Sequence, residues 1–378
     1  MKFSFITTMG VLPWAGSEEL WHGAAYSLLH QRHQVYSYYP RARGWAKPLD
    51  QLKEAGGVIH PYGIGASSME KFWFKLKQRF PLVPATAKIG TNHRDWRESD
   101  LVVISQGACI DGLDWLERIH NAGKHYVILC QANMECMWPD DHVVERMIRV
   151  YSAAKAVCFV SAENERLFRV QTGYEGANTS VVWNPLQPET PRGPMPWPDN
   201  HEPWRMAMVG RIEPFAKGQD LMLEVLSMDK WRARNLRVTL YGKGPWEKTA
   251  RKIIKQRKME NVQFGGYATL REIWSENHML ALPSRHEGMS LAMLEAMWLG
   301  RPVVATAVAG AISEIENGST GFLASAASVD LWDHAMEEAW KKRNSWAIMG
   351  QAAAVRIRNR INGDPVQQFT AMLNSLAK

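Results

Sequence analysis

Along the first half of the chain, short apolar runs alternate with stretches whose apolar positions recur every three to four residues. The runs Phe3 to Thr7, Leu101 to Ser105, Tyr126 to Cys130, Ala156 to Val160 and Ser180 to Trp183 are each followed by a turn signal and then a segment of helical period. A brief apolar run bounded in this way reads as a strand buried on both faces, and the helical segments as the crossovers a parallel sheet requires. The rhythm breaks at NPLQPETPRGPMPWPDN, Asn184 to Asn200, where six prolines leave no usable period. It resumes with Arg205 to Val209, Leu236 to Tyr241, Val262 to Phe264, His278 to Leu282, Pro302 to Ala305 and Gly321 to Leu323. A long helical tail, Leu331 to Ile361, follows, and Gly363 to Lys378 reads as one more helix folding back. The pattern predicts two doubly wound α/β domains in tandem, residues 1–186 and 204–361, joined by a Pro-rich linker at 187–203 and closed by a C-terminal helix at 362–378 that returns to the first domain.

Length agrees with that division, because 378 residues exceed one typical core. No apolar run approaches the roughly 20 residues that span a bilayer, and MKFSFITTMG reads as a first strand rather than a leader, so a cytoplasmic protein is expected. The four cysteines, Cys109, Cys130, Cys136 and Cys158, form no C-x-x-C pair and read as reduced, buried thiols; no His spacing completes a zinc site. Net charge is +7, with +1 before residue 190 and +6 after it. Such a bias suits an anionic ligand or an anionic membrane surface, and equally plain solubility.

In open parallel sheets ligands sit beyond the carboxyl ends of the strands. The residues following the predicted strands are Gly16 and Ser17, Gln106 and Gly107, Gln131 and Asn133, Gly210 and Arg211, Gly242 to Gly244, Gly265 and Gly266, and Arg285 to Glu287. Both domains present an edge rich in glycine, amides and selected charges, which makes a cleft between them the natural site.

The stretch HEGMSLAMLEAMWLGRPVV, His286 to Val304, sets Glu287 and Glu295 around the start of a predicted helix with almost only small or apolar residues between. Ser290 is placed as its N-cap and Leu299-Gly300 before Pro302 as its stop. The first amides of a helix lack internal partners and carry partial positive charge, so Met289 to Ala292 offer a cradle for phosphate. Two carboxylates flanking such a cradle can each hold a sugar ring by its diol. Positive charge comes from VGRIEPFAKGQD, Val209 to Asp220, where Arg211 follows a strand and Lys217-Gly218 enters a helix. A guanidinium and an ammonium together can neutralise a departing diphosphate.

These residues carry a resemblance. E287-G-M-S-L-A-M-L-E295, then GRPVVAT and NGSTGFL, together with VGRIEPFAKGQD, AGSEELW (Ala15 to Trp21), VCFVSAENERL and VVWNP, are similar to the motifs of retaining glycosyltransferases of family 4, of the glycosyl transferases group 1 type. The resemblance runs through nearly the whole chain. It implies a GT-B fold, two Rossmann-like domains facing each other across a cleft, and a nucleotide-diphosphate sugar, UDP- or GDP-linked, as donor. Glu287 would contact hydroxyls of the transferred sugar and Glu295 the ribose. Arg211 and Lys217 would hold the diphosphate, with Gly210, Gly288 and the amides of Met289, Ser290 and Leu291, and with Gly16 from across the cleft. Gly266 and Tyr267, in the loop Phe264 to Leu270, would border the base. Glu287, Lys217 and Arg211 are the candidate catalytic residues, and Ser17, Gln131 and Asn133 the candidate acceptor contacts. Members retain anomeric configuration by front-face attack, with the leaving phosphate accepting the acceptor's proton. Neither a cofactor nor a metal is implied, and the chain has no D-x-D triad. Glycans and lipid-linked sugars are the implied acceptors.

The chain departs from the family in having Gln131 where many relatives place a histidine, and Ala15-Gly16 where two glycines are frequent. Gly16 fits both a turn and a phosphate contact; Gln131 fits both a sugar contact and a buried amide. GKG, Gly242 to Gly244, falls short of a dinucleotide fingerprint and reads as a turn. MEKFWFKLKQRF, Met69 to Phe80, mixes four cations with four aromatics; it suits a peripheral contact with the inner face of a membrane or a helix packed on the first domain. Two other functions use a similar site. A GT-B epimerase or hydrolase would add an acid/base pair; a non-catalytic nucleotide-sugar or glycan-binding protein would not need Glu287 or Lys217. A nucleic-acid partner is not expected, because RKIIKQRK, Arg251 to Lys258, reads as a solvated helix face.

Overall fold

A computed structural model describes residues 1–9, 14–41, 44–64, 89–90, 93–198 and 202–378. The Met69 to Phe80 stretch lies outside the described residues. The chain forms two compact units, Met1–Pro185 with Gly363–Lys378, and Leu186–Asn362. Among the described residues, no helix is long and apolar enough to cross a membrane.

The first unit is built on eight described strands: β1 (Lys2–Thr7), β2 (Gln34–Pro40), β3 (Val58–Ile64), β4 (Ile89–Gly90), β5 (Leu101–Ala108), β6 (Tyr126–Ala132), β7 (Ala156–Phe159) and β8 (Thr179–Val181). They lie in the order β4-β3-β2-β1-β5-β6-β7-β8, parallel except for the β3–β4 pair. β5 is buried along its whole length, as a strand with helices on both faces must be. The second unit has six: β9 (Trp204–Val209), β10 (Leu236–Tyr241), β11 (Val262–Gly266), β12 (Met279–Leu282), β13 (Val303–Thr306) and β14 (Gly321–Ala324), all parallel in the order β11-β10-β9-β12-β13-β14. Each sheet has an apolar core of its own, around Tyr38, Trp115, Ile128 and Phe168 in the first and Met206, Trp231, Val238 and Trp346 in the second. Two doubly wound α/β domains, as the hydrophobic rhythm predicts, are the result.

Three local readings need correction. β2 and β3 are missing from the run of apolar segments because polar or turn-type residues interrupt them, Ser37 in β2 and His60 and Pro61 in β3, although Ser37 and His60 are buried. The long tail is two helices, Val329–Lys341 and Trp346–Arg360, broken by a 3-10 turn at Arg343–Ser345. The break lets Trp346 turn into the core, where its Nε1 donates to Ala339 O at 2.9 Å and its ring meets Trp204 edge-on at 5.1 Å. Cys136 is exposed, on the loop after β6, whereas Cys109, Cys130 and Cys158 are buried.

The helix Pro365–Leu376 packs within the first unit on Glu19–His30. Gly23 permits the contact, since a Cβ there would lie 2.8 Å from Val366 Cγ2. Residues 186–198 supply acceptors: Arg301, buried, donates to the carbonyls of Met195 and Pro196 there, and to those of Trp274, Asn277 and Leu299, while Trp298 Nε1 donates to Pro191 O. Backbone carbonyls and the face of the Trp197 ring, 5.1 Å away, surround this guanidinium, and burial pushes its pKa down to about 10. The segment is thus fastened along the second unit.

Candidate functional site

In the second sheet β9 is central: β10 and β11 lie to one side and β12 to β14 to the other. Loops leaving β9 and β12 therefore diverge to opposite faces and open a crevice at their carboxyl ends, the position where doubly wound sheets bind ligands. Gly210 and Arg211 leave β9 there, and Pro283 to Glu287 leave β12.

Glycine lets these loops meet. Gly218 has φ +66°, and a Cβ on it would stand 1.9 Å from Pro283 O. Only glycine satisfies both conditions. Behind it, a Cβ on Gly242 would stand 2.2 Å from Gly210 O and one on Gly244 2.2 Å from Ile212 O. The GKG run thus serves to lay the β10 loop on the β9 loop. Once apposed, the segments are bolted by Arg285, whose two terminal nitrogens each meet an Asp220 oxygen at 2.7 Å and which also donates to Pro214 O at 2.8 Å. The amides of Arg285 and His286 donate to Ala216 O at 2.8 and 3.3 Å. The bond to Asp220 raises the Arg285 pKa above its ordinary value.

The consequence is an ion pair at the mouth of the crevice. Lys217 Nζ lies 2.7 Å from Glu287 Oε1, which also accepts from Ser284 Oγ at 2.7 Å. Both charged side chains are partly shielded, 25% and 9% exposed, so the pair is screened less than a surface one. Arg211 turns to Glu213, and its carbonyl accepts from Gln219 Nε2 at 2.8 Å.

The following helix is Leu291–Trp298. Ser290 occupies its N-cap position, yet its hydroxyl makes no capping bond and no acid lies in the first turn. The chain leaves the positive end of this helix uncompensated by any side chain of its own first turn. Gly288 and Met289 are held in front of it: Gly310 N donates to Gly288 O at 3.1 Å, and Met289 Sδ would be 2.5 Å from a Cβ on Gly310. Ala309, just before Gly310, sits at φ +43°, a conformation that costs a non-glycine residue energy. Glu295 is 2% exposed. Gly266, at φ +63°, turns the chain after β11 so that Tyr267 stands 78% exposed, with Lys243 Nζ 5.4 Å from its ring centre.

The predicted residues of the first unit lie at the carboxyl edge of its own sheet. Gly16 opens the 3-10 turn Gly16–Glu18, anchored by buried Glu18, which accepts from Trp21 Nε1 at 2.6 Å and Thr7 Oγ1 at 3.1 Å. The Ser17 hydroxyl is out of solvent and finds no hydrogen-bond partner among the described residues. Gln131 Oε1 accepts from Asn184 Nδ2 at 2.9 Å, while its Nε2 is buried with no partner among those residues. Asn133 is used internally: Nδ2 donates to Gln171 at 2.8 Å and Oδ1 accepts from its neighbour Met134 N at 3.0 Å. Nearby, Asp111 accepts from Ala108 N at 2.8 Å, and burial pushes its pKa up to about 6.

The structure thus brings Lys217, Glu287 and the start of the Leu291–Trp298 helix together, and gives Arg211 a separate acid. Sequence reading missed Ser284, Arg285, Asp220 and Gly218 as the groups that hold them. Arg285 and Asp220 stand inside the quoted motifs, but only the fold reveals that they pair.

Residues 204–342 match the family model described as Glycosyl transferases group 1. The D-inositol 3-phosphate glycosyltransferase of Corynebacterium aurimucosum is 29% identical over 175 residues, 44% of this chain and 39% of that protein. The colanic acid biosynthesis glycosyltransferase WcaL of Salmonella typhimurium, a putative assignment, is 30% identical over 131 residues, 32% of each. The chain spans about two fifths of the length of the first of these relatives, and a third of the second. Among solved structures, HepE of Anabaena in complex with UDP superposes with a TM-score of 0.70 at 17% identity, covering 99% of this chain and 100% of that one. Sucrose-phosphate synthase of Thermosynechococcus elongatus does so at 0.71 and 14%, covering 99% and 98%. The chain has the GT-B fold, and residues 204–342 carry the match to glycosyl transferases group 1. The GT-B fold accounts for two Rossmann-like units on one chain, and it places the group 1 match on the unit that holds Lys217 and Glu287.

Proposed function

We propose that this GT-B protein is a retaining, metal-independent glycosyltransferase of family 4 that moves a sugar from a nucleotide-diphosphate donor to a hydroxyl of a glycan or lipid-linked acceptor. The observation that carries the reading is the Lys217–Glu287 pair at the topological switch point, set before a helix whose amino end has no cap and no acid. A cation held there by a carboxylate is available for an anion, and the helix amides supply further donors to the same oxygens. Lys217, Arg211 and the amides of Gly288 to Leu291 take the diphosphate. Glu287 receives the sugar's hydroxyls, and Glu295 and Tyr267 the nucleoside. HepE was crystallised with UDP and with UDP-glucose, which favours UDP as the nucleotide to try first.

Charge developing on the leaving phosphate is the quantity such a site must stabilise. One preorganised donor is worth about 2.7–4 kcal/mol in that role. In front-face transfer the bond from the anomeric carbon to phosphate breaks as the bond to the acceptor oxygen forms on the same face, and the acceptor's proton passes to the leaving phosphate. That step needs no protein base. It needs cations, and Arg211 with Lys217 provide the charge that a bound divalent ion supplies elsewhere. Ser17 and Gln131 face the acceptor side with neutral donors.

Calorimetric titration with UDP, GDP and ADP, followed by product analysis with the matching sugar nucleotides in excess EDTA, tests the reading. One diphosphate is expected to bind, and its sugar to be transferred with the anomeric configuration unchanged. Absence of binding to all three would overturn the donor site; binding without transfer or hydrolysis would identify a nucleotide-sugar-binding protein.

A further inference from the structure

We propose that His60, His93 and Asp95 form a binding site for a divalent transition-metal ion of the Zn²⁺ type, in the first unit and independent of the donor reading. One donor atom from each of the three residues lies within 4.8 Å of the others. Two imidazole nitrogens and a carboxylate oxygen are a donor set that Zn²⁺ takes at about 2.0–2.2 Å, with a fourth position left for water. His60 is distant in sequence from His93 and Asp95, which are themselves only two positions apart, so no familiar ligand spacing announces the set.

His60 sits within β3, its ring between those of Tyr36, parallel at 6.2 Å, and His93, stacked at 4.0 Å, with Tyr38 tilted against it at 5.1 Å. Packing therefore fixes the ring. Its Nε2 is buried and lies 2.6 Å from Asp95 Oδ2, without the alignment of a hydrogen bond. Ligand atoms of one tetrahedral Zn²⁺ stand about 3.3 Å apart, so the two must separate by roughly 0.7 Å to admit the ion, and the partly exposed Asp95 side chain has room to draw back. Asp95 is held by its backbone: it opens the 3-10 turn Asp95–Arg97, its carbonyl accepts from Ser99 Oγ at 3.3 Å, and the next amide, Trp96 N, donates to Tyr38 OH at 3.1 Å. His93 is exposed, so rotation about its side-chain bonds brings its lone pair onto the ion without moving the core. One ligand fixed by packing and two with room to adjust give a site that the ion itself completes. Once bound, the ion ties β3 to the segment that leads into β5 and closes a long loop of chain.

Calorimetric titration of ZnCl₂ into the metal-free full-length protein tests the assignment, alongside His93→Ala and Asp95→Asn. Wild type is expected to take up one equivalent. Each variant should bind at least about 10-fold more weakly, since even loss of an outer-sphere partner costs that much. Circular dichroism and the affinity for UDP should be unchanged. In the same samples Co²⁺ is expected to give the visible bands of a four-coordinate ion, lost in His93→Ala. No uptake by wild type, or isotherms that coincide in wild type and both variants, would overturn the site.

Discussion

The two carboxyl edges are built from the same strand-loop-helix grammar, yet one is crowded with ion pairs and the other presents mainly neutral polar groups. In the second unit three ion pairs, Arg211–Glu213, Lys217–Glu287 and Arg285–Asp220, crowd the loops after β9 and β12 beside an uncompensated helix start. In the first, the corresponding groups are the Ser17 hydroxyl and the Gln131 amide, each with a buried atom lacking a partner among the described residues, and Asp111, whose burial favours the uncharged form. Fixed charges suit a ligand that is itself charged, and unsatisfied neutral donors suit sugar hydroxyls. The difference implies that donor and acceptor recognition are separable by mutation.

Lys217→Ala should give the largest effect. Removing a preorganised donor of about 2.7–4 kcal/mol predicts turnover lower by roughly 10² to 10³. Steady-state kinetics on the folded variant provide the check, and turnover like that of wild type would remove Lys217 from the mechanism. Glu287→Gln sharpens the point in the opposite direction. Losing the carboxylate frees Lys217 from its 2.7 Å partner, so affinity for UDP is expected to hold or rise while transfer falls. A parallel loss of both, by calorimetry and assay, would mean that Glu287 merely positions Lys217.

Arg285→Ala comes next, with an effect on stability as well as activity. The fork to Asp220 and the bond to Pro214 O hold the β12 loop against Lys217. Asp220 remains partly exposed and solvated, which limits the cost to about 1–2 kcal/mol. A thermal melt should show that loss, with KM for the donor raised more than kcat is lowered, as expected of a residue that acts through Lys217.

Much of this was legible in the sequence, for a physical reason. Buried parallel strands write themselves as apolar runs, so the alternation that gives two doubly wound domains could be read directly. Glu287 and Glu295 stood out because small and apolar residues replace the usual surface polars between them. Pairing was not legible. That Lys217 meets Glu287, and Arg285 meets Asp220, depends on Gly218 yielding its side-chain space to Pro283 O, a contact between segments far apart in the chain. β2 and β3 escaped notice because Tyr-rich, His-containing stretches imitate a surface, whereas packing buries them. His60, His93 and Asp95 converge for the same reason.

On the neutral edge, Ser17→Ala should leave UDP affinity unchanged and raise KM for the acceptor by about 5-fold, the worth of roughly one neutral hydrogen bond. Stability should not fall, because the hydroxyl has no partner among the described residues to lose. A lowered melting temperature would show that Ser17 is structural.

Asp111→Asn isolates an acid of that edge whose titration burial shifts, and predicts the smallest change. Its folded pKa of about 6 lies above the usual carboxylate value near 4, so the native state binds the proton more tightly than the unfolded chain. That contribution is fully present below about pH 4 and is lost as pH rises through 6. Asparagine keeps an oxygen for Ala108 N and cannot ionise, so the variant should equal wild type near pH 4 and exceed it above pH 7. Partial solvent access reduces the difference from the nearly 3 kcal/mol that the full shift implies to about 1 kcal/mol. Melts at both pH values provide the test: a variant less stable than wild type at neutral pH would show that the Asp111 carboxylate is held by a favourable charge interaction, and that the first edge is less neutral than its geometry implies.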